Sequence, residues 1–280
     1  MGGAPTGRAA PSSEGTVRMA PLLVVVAVLG LAVGSFLNVV IYRVPRGESV
    51  VRPGSHCPHC QTPIRAWHNV PVVSWLALRG RCATCRARIS VRYPLVELGT
   101  AALFVAVTAR LGLNAALPAY LYLAAITIAL ALIDVDVQRL PNAIVYPSYL
   151  VGAGLLVTAG AIDGDWAAVG RGLLGMAALF VFYLGLSLTY KGRGMGLGDV
   201  KLAGVLGLYL GWLGWSSLLV GVFAGFLLGG LVGIALLALR RAGLRSQFPF
   251  GPSMLAGAFV AVFAGGPIGA WYLSLILPTA

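Results

Sequence analysis

The sequence predicts an all-α polytopic membrane protein with about eight transmembrane helices and a small four-cysteine domain between the first and the second. Three observations lead to this prediction. Of the 280 residues, 59% are hydrophobic and only 10% are charged, whereas a soluble domain has about a quarter charged residues. Apolar runs of about 20 residues, the length that crosses a bilayer, recur along the chain. All four cysteines lie in a single polar segment.

The chain divides into a tail, a first span, a polar segment and a block of seven further spans. Residues 1–19 are small, polar and proline-bearing, which predicts a disordered tail; Met19, just before the first apolar run, is a second candidate start of translation. The span at 20–42 continues into GSFLNVVIYRVP without an Ala-x-Ala site, so we expect it to stay in the mature protein. The polar segment occupies 43–92 and the remaining spans 93–280. The eight predicted spans are 20–42, 93–111, 115–134, 142–161, 168–190, 199–213, 215–239 and 252–278.

The basic residues lie mostly on one side of this arrangement. If the N-terminus is outside, the connections 43–92, 135–141, 191–198 and 240–251 are cytoplasmic, and with Lys201 they hold sixteen of the twenty basic residues. The other four are Arg8, Arg18, Arg110 and Arg171. Short cytoplasmic loops of membrane proteins carry such an excess of positive charge. The net charge of +12 therefore reflects topology rather than nucleic-acid binding, and we expect a multi-pass protein of the inner membrane, in contact with lipid and without a nucleic-acid partner.

The polar segment carries two CxxC pairs, CPHC at 57–60 and CATC at 82–85. This spacing is close to that of a four-cysteine zinc ribbon, in which four thiolates close a tetrahedral shell and the metal supplies folding energy. The alternatives are two disulfides or four unrelated thiols, and a reducing cytoplasm disfavours the disulfides. The neighbouring residues His56, His59 and His68 are interpreted as ordinary loop residues. The predicted ligands of a structural zinc ion are Cys57, Cys60, Cys82 and Cys85.

Acidic residues are rare, so their positions are informative. Four of the eight, Glu14, Glu48, Asp163 and Asp165, lie in the tail or in loops, where water solvates them. The other four, Glu97, Asp134, Asp136 and Asp199, lie in spans or at their ends. A carboxylate at membrane depth is costly and indicates function.

Asp134 closes the third predicted span and Asp199 opens the sixth, so both lie at the cytoplasmic boundary. Two carboxylates at one depth on different helices can face each other across a cleft. In an aspartyl protease one such carboxylate deprotonates a water while its protonated partner polarises the scissile carbonyl. Like charges at short range favour a shared proton. The pair is therefore predicted to be catalytic.

A glycine-rich loop precedes Asp199. Gly194, Gly196 and Gly198 allow close backbone approach, so an extended substrate could lie beside the loop; the alternative is a flexible hinge with a helix-capping aspartate. Asp136 is predicted to face another direction as a supporting or interfacial group. Glu97 is predicted either to orient polar groups in the bundle or to have a structural role. The residues predicted to bind substrate or support the site are Gly196, Gly198, Asp136, Lys201 and Glu97.

Together these segments resemble the type IV prepilin peptidases, membrane aspartyl peptidases with a GxGD motif. The two CxxC pairs resemble the cytoplasmic zinc-binding loop of that family. The other similar segments are GSFLNVVIYRVP (34–45), RYPLVELGTA (92–101), LIDVDVQRLPN (132–142), GMGLGDVKL (194–202) and FPFGPSMLAGA (248–258). The resemblance covers nearly everything after residue 20, in the family's order.

The resemblance implies that Asp134 and Asp199 cleave the short basic leader of prepilins or pseudopilins at the cytoplasmic membrane face. Relatives with a long cysteine-bearing loop also methylate the new N-terminus with S-adenosylmethionine, which makes this cofactor a second expectation. No glycine fingerprint of a dinucleotide-binding type occurs in 43–92. Two other functions were weighed: an ion- or proton-coupled transporter using the same carboxylates, and a zinc-stabilised scaffold of a pilus or secretion assembly.

Overall fold

The structure, a computed structural model, describes residues 13–189, 196–239 and 249–276, with side chains from residue 19 onward. Nine α-helices occur in these ranges, and two short 3-10 helices, Val44–Arg46 and Ala66–His68, lie between the first and third. The α-helices are α1 (Ser13–Arg43), α2 (Val73–Ala77), α3 (Arg92–Leu111), α4 (Leu117–Val137), α5 (Asn142–Asp163), α6 (Trp166–Thr189), α7 (Leu197–Leu213), α8 (Trp215–Ala238) and α9 (Gly251–Ile276).

The predicted fold class is confirmed, since a long helix occupies each of the eight predicted spans. Seven helices are long and apolar enough to cross a membrane. The eighth, α7, has 17 residues, and it corresponds to the shortest of the eight predicted spans. Some of the predicted features lie outside the described residues. They are Gly194 of the glycine-rich loop, the basic connection at 240–248 and the predicted span ends at 190 and 277–278.

The predicted tail needs one correction. Helix α1 begins at Ser13, so residues 13–19 are helical rather than disordered, while 1–12 lie outside the described residues. A helix satisfies its backbone hydrogen bonds internally, so it can extend beyond the apolar run that places it in a membrane. No proline interrupts residues 13–20, and Pro21 is accommodated inside the helix.

Helix α7 lies at the centre of the bundle. Val200 and every residue from Leu202 to Gly211 are buried, and the helix packs against α5, α6, α8 and α9. A side chain at Gly207 would overlap the backbone of Gly175 in α6. Small residues let membrane helices approach closely and pack by van der Waals contact. This packing fixes the position of the first turn of α7, which carries Asp199.

Helix α1 packs against α3 in the same way. A Cβ atom at Gly30 would lie 2.6 Å from Cα of Ala101, and one at Gly34 would lie 2.7 Å from Cα of Glu97. Between these two helices, residues 44–91 form a small unit with two isolated β-bridges, His56 to Pro63 and Arg81 to Arg88. Each bridge encloses one of the two cysteine pairs.

Candidate active site and metal centre

Asp134 lies in the last turn of α4 and is 5% exposed. Its Oδ2 accepts a hydrogen bond of 3.1 Å from the backbone N–H of Gly251, the first residue of α9. The first N–H groups of a helix have no partner within the helix, and the helix dipole favours a negative charge there. A Cβ atom at residue 251 would lie 2.7 Å from Oδ2 of Asp134, so only glycine allows this contact without a shift.

Asp199 lies in the first turn of α7 and is half-buried. Its Oδ2 accepts a hydrogen bond of 3.1 Å from the backbone N–H of Gly196, the N-cap residue. Both predicted catalytic carboxylates are therefore held at a helix N-terminus by one backbone N–H group. Asp134 uses the N-terminus of a different helix, whereas Asp199 uses that of its own.

The structure brings the two carboxylates together. Asp134 lies close enough to Asp199 to act electrostatically on it. Leu140, in the segment after α4, lies next to the first residues of both α7 and α9. A Cβ atom added at Gly198 would lie 3.3 Å from the side chain of Leu140, and one added at Gly251 would lie 3.4 Å from it. The C-terminal end of α4 and the N-terminal ends of α7 and α9 therefore meet at one point. This junction carries the carboxylate pair and consists of three short backbone segments.

The remaining predicted support residues fall into two groups. Gly196 and Gly198 lie beside Asp199, and Nζ of Lys201 donates a hydrogen bond of 3.0 Å to Oδ1 of Asn142 at the start of α5. Asp136 forms a bidentate ion pair with Arg92, with N–O distances of 2.9 and 2.6 Å. This ion pair joins the end of α4 to the start of α3.

Glu97 of α3 contacts the cysteine-bearing segment. Its side chain is 7% exposed, and its Oε2 accepts a hydrogen bond of 2.7 Å from the backbone N–H of Val72. Val72 has a positive φ of 60°, an uncommon conformation for a β-branched residue. Glu97 therefore anchors the cysteine-bearing segment to α3 rather than orienting groups among the spans.

Sequence reasoning missed an aromatic wall beside the carboxylates. Tyr183 in α6 is 2% exposed and lies near enough to feel the charge of Asp199. Its ring stacks on Phe226 of α8, with ring centroids 5.6 Å apart, and Phe226 contacts Phe250 at 5.4 Å. In apolar helices such rings are indistinguishable from ordinary packing residues, so no sequence signal could have found them. Gly251 could have been singled out from the sequence, because it lies in the FPFGPS segment, which is one of those that resemble the family.

The four predicted metal ligands lie together. Their Sγ atoms are all within 4.8 Å of one another, and those of Cys57 and Cys85 are 3.7 Å apart. A tetrahedral zinc site with Zn–S bonds of about 2.3 Å separates its sulfurs by about 3.8 Å. All four cysteines are free thiols, which argues against the disulfide alternative. The donor set and its spacing therefore fit a zinc ion.

The thiols influence one another's ionisation. Hydrogen bonds from the side chain and backbone of Thr62 lower the pKa of Cys60 to about 6. A hydrogen bond from the backbone N–H of Ala87 lowers the pKa of Cys85. Desolvation and the three neighbouring sulfurs have the larger, opposite effect and raise the pKa of Cys85 to about 11. Four thiolates at this spacing repel one another unless a cation lies between them, so full ionisation of the cluster requires a metal.

Comparison with known proteins gives two family matches that together span most of this architecture. Residues 28–111 match the bacterial Peptidase A24 N-terminal domain, and residues 121–234 match the type IV leader peptidase family. A curated relative from Pseudomonas putida, a prepilin leader peptidase/N-methyltransferase, is 40% identical over 275 residues, covering 89% of this chain and 93% of the relative. The chain belongs to the type IV leader peptidase family.

Other relatives carry the same description. The protein from Stutzerimonas stutzeri is 37% identical, covering 88% of this chain and 92% of the relative. The protein from Neisseria gonorrhoeae is 38% identical, covering 86% and 90%. No solved structure is significantly similar to the chain. The predicted family and enzyme class are thereby confirmed: the chain is a multi-pass membrane protein of a peptidase family. The paired carboxylates belong to its membrane bundle, and the cysteine cluster belongs to its N-terminal part.

Proposed function

We propose that this chain is a membrane aspartyl endopeptidase that cleaves the short basic leader of type IV prepilins or pseudopilins, and that Asp134 and Asp199 are its catalytic pair. One observation carries the proposal: α4 and α7 bring two carboxylates together at a junction of helix ends. The relatives named as prepilin leader peptidases supply the substrate class. The sidedness follows from the basic connections, which put this junction, the cysteine segment and the cut at the cytoplasmic face.

The chemistry needs one ionised and one protonated carboxyl group. The ionised member takes a proton from a water as its oxygen attacks the scissile carbonyl carbon. The protonated member donates a hydrogen bond to the carbonyl oxygen, where negative charge develops. Collapse of the tetrahedral intermediate breaks the C–N bond, and the leaving amine takes up a proton from the pair. Because the two carboxyl groups titrate as a coupled pair, the roles of proton acceptor and proton donor are assigned to the pair rather than to either residue.

Each carboxylate is held through one oxygen, which prepares it for this task. Oδ2 of Asp134 and Oδ2 of Asp199 accept the N–H groups of Gly251 and Gly196, and neither Oδ1 has a hydrogen-bond partner in the described part of the chain. The free oxygens can address a water and a peptide carbonyl. Gly196 and Gly198 leave space for an extended substrate backbone beside Asp199. The apolar helix of the substrate would remain in the bilayer, just beyond the cut.

The cysteine segment would hold a structural zinc ion through Cys57, Cys60, Cys82 and Cys85. A closed four-thiolate shell has no open position for a substrate, so its contribution is folding energy. Glu97 of α3 transmits this stability to the bundle, since it accepts a hydrogen bond from the backbone of Val72. Within the segment, Nε1 of Trp75 donates a hydrogen bond of 3.2 Å to the carbonyl of Ile89. The zinc domain therefore presents a fixed surface to α1 and α3.

A second activity, methylation of the new N-terminus, is proposed from the relatives' description as N-methyltransferases. S-adenosylmethionine would supply the methyl group from its sulfonium and would leave as the neutral thioether. The amine must lose a proton to present its lone pair. Leader cleavage at the junction of α4, α7 and α9 creates such an amine at the membrane boundary.

The deciding experiment is cleavage of a prepilin-like substrate by purified protein in detergent. The substrate carries a basic leader, a glycine at the cut and a following apolar helix. Asp134→Asn and Asp199→Asn should each reduce leader release by about a thousandfold, because each removes a general acid–base group. Asp163→Asn, which changes an exposed carboxylate at the end of α5, should cleave like wild type. Wild-type turnover by either Asp134→Asn or Asp199→Asn would contradict the assignment.

A further inference from the structure

A large cavity in the described part of the chain lies between the cysteine segment and the first spans, away from the carboxylate pair. Its volume is about 710 Å³, within the range of about 300–1,000 Å³ typical of small-molecule sites. It lies between the cysteine segment and the adjoining ends of α1 and α3. Residues that line it include Asn38, Tyr42, Arg43, Trp75, Tyr93 and Glu97.

Two buried charges of opposite sign line this cavity. Glu97 is 7% exposed and Arg43 is 9% exposed. Oε2 of Glu97 binds the N–H of Val72, and Nη1 of Arg43 donates a hydrogen bond of 3.0 Å to the carbonyl of Ser49. Neither forms an ion pair within the described ranges, where the one salt bridge joins Arg92 and Asp136. Buried charges without a counter-charge are costly, so the cavity is suited to a ligand that carries both a cation and an anion.

The remaining walls suit a planar base. Tyr42, Trp75 and Tyr93 contribute rings to the lining, and aromatic faces bind planar, delocalised groups by stacking. Trp75 is held by its bond to Ile89 and by contact with Gly80, where a Cβ atom would lie 2.8 Å from the indole ring. A ligand that combines an adenine, a zwitterionic amino-acid group and a second cation matches the two charges and these walls together.

We propose that this cavity binds the methyl donor S-adenosylmethionine, with Arg43 facing its carboxylate and Glu97 facing its cationic groups. The assignment rests on the proposed methyltransferase activity. The assignment also explains how leader cleavage and methylation could act on one substrate in turn. The Arg92–Asp136 ion pair ties α3, beside the cavity, to α4, two residues after Asp134. This ion pair therefore links the helix beside the cavity to the helix that carries Asp134.

The test measures binding rather than methylation. Radiolabelled S-adenosylmethionine is dialysed against purified, zinc-loaded, full-length protein in detergent, and S-adenosylhomocysteine is titrated calorimetrically. We expect saturable binding at one site per chain. Adenosine, which lacks the amino-acid group, should bind at least about tenfold more weakly. Glu97→Gln and Arg43→Gln should each lower the affinity for the donor by at least about tenfold and leave the weak adenosine affinity unchanged.

A third variant covers the case in which a buried substitution disturbs folding. Asn69→Trp fills the cavity from an exposed position whose side chain forms no hydrogen bond in the described ranges, and it should abolish donor binding. Leu113→Trp, at an exposed position between α3 and α4 that is not part of the lining, should bind like wild type. No saturable binding by wild type, or unchanged binding by Asn69→Trp, would overturn the assignment.

Leader cleavage by the same preparations separates the two proposals. Wild-type protein that cleaves but does not bind the donor would refute the cavity assignment and leave the peptidase proposal intact. Protein that binds the donor in this cavity but does not cleave would refute the peptidase proposal alone.

Discussion

At the scale of single residues, both candidate catalytic carboxylates depend on backbone N–H groups rather than on side chains. Gly251 serves Asp134 and Gly196 serves Asp199. A backbone donor fixes the position of one oxygen and favours its negative charge without the full positive charge that a lysine or arginine would bring. The other oxygen is left for chemistry, and either member of the pair can hold the shared proton. This arrangement suits a site in which the two groups must exchange roles within a reaction cycle.

Gly251→Ala tests how closely this position is controlled. The new methyl group would lie 2.7 Å from Oδ2 of Asp134, so the carboxylate or the start of α9 must move. A displacement of about 1 Å can cost about a hundredfold in rate, and we expect a loss of leader cleavage of that order. The measurement is the rate of leader release, with circular dichroism to verify that the helices are intact.

The matched control lies on the same helix. Gly266 is also in α9, but a Cβ atom there would meet nothing within 4 Å. Gly266→Ala should therefore cleave at the wild-type rate. Equal rates for Gly251→Ala and wild type would show that Asp134 does not need this contact.

The carboxylates could be predicted from sequence because acidic residues are rare in apolar helices and therefore conspicuous. Their partners could not be derived locally, since Gly251 is 117 positions from Asp134. The direction of Asp136 was predicted because a two-residue step along a helix changes its face. The partner of Glu97 could not be predicted, because it is a backbone N–H in the polar segment, and a backbone group leaves no trace in the sequence.

At the scale of elements, close contact between α6 and α7 holds Asp199 in place. A Cβ atom at Gly175 would lie 2.5 Å from the carbonyl oxygen of Gly207 and 3.0 Å from Cα of Gly211. Gly175→Ala should therefore separate the helices and destabilise the protein by about 1–3 kcal/mol. The readout is the midpoint of thermal unfolding in detergent. Gly185→Ala on the same helix, where a Cβ atom would meet nothing within 4 Å, should leave the midpoint unchanged.

The cysteine segment makes a separate prediction. Cys57→Ser or Cys82→Ser should remove most of the bound zinc and lower the unfolding midpoint, because the loss of one thiolate opens the closed shell. His59→Ala should retain wild-type zinc content, since His59 lies next to Cys60 but outside the four-sulfur cluster. Metal content is measured by mass spectrometry of purified protein. Zinc-free wild-type protein with an ordered segment would contradict the prediction.

The order and approximate length of the spans could be predicted from hydropathy, and so could the metal site from the spacing of its cysteines. The helical start at Ser13 could not, because polar residues 13–19 carry no apolar pattern. The short helix α2 (Val73–Ala77) and the cavity beside it were also missed. Both depend on how residues 44–91 pack against α1 and α3, which is a tertiary property.

At the scale of the whole molecule, the distribution of positive charge predicts orientation. If α7 crosses with the seven other long helices and the basic connections are cytoplasmic, we expect both termini on the outer side and the carboxylate pair with the cysteine segment on the cytoplasmic side. Fusions of alkaline phosphatase, which is active only outside the cytoplasm, should be active after Gly112 and Gly164. Fusions after Gly47 and Leu239 should be inactive. The reverse pattern would place the site on the outer face and contradict cleavage at the cytoplasmic boundary.

Helix α7 is short, rich in glycine and surrounded by other helices, and this has a consequence for biosynthesis. A segment of 17 residues with two charged groups partitions poorly into lipid on its own. During translation we therefore expect α7 to enter the bilayer together with α6 and α8 as a hairpin-like unit, and not as an independent span. The segment that delivers Asp199 is thus completed late, when its neighbours already surround it, so a partly assembled chain would carry no finished protease.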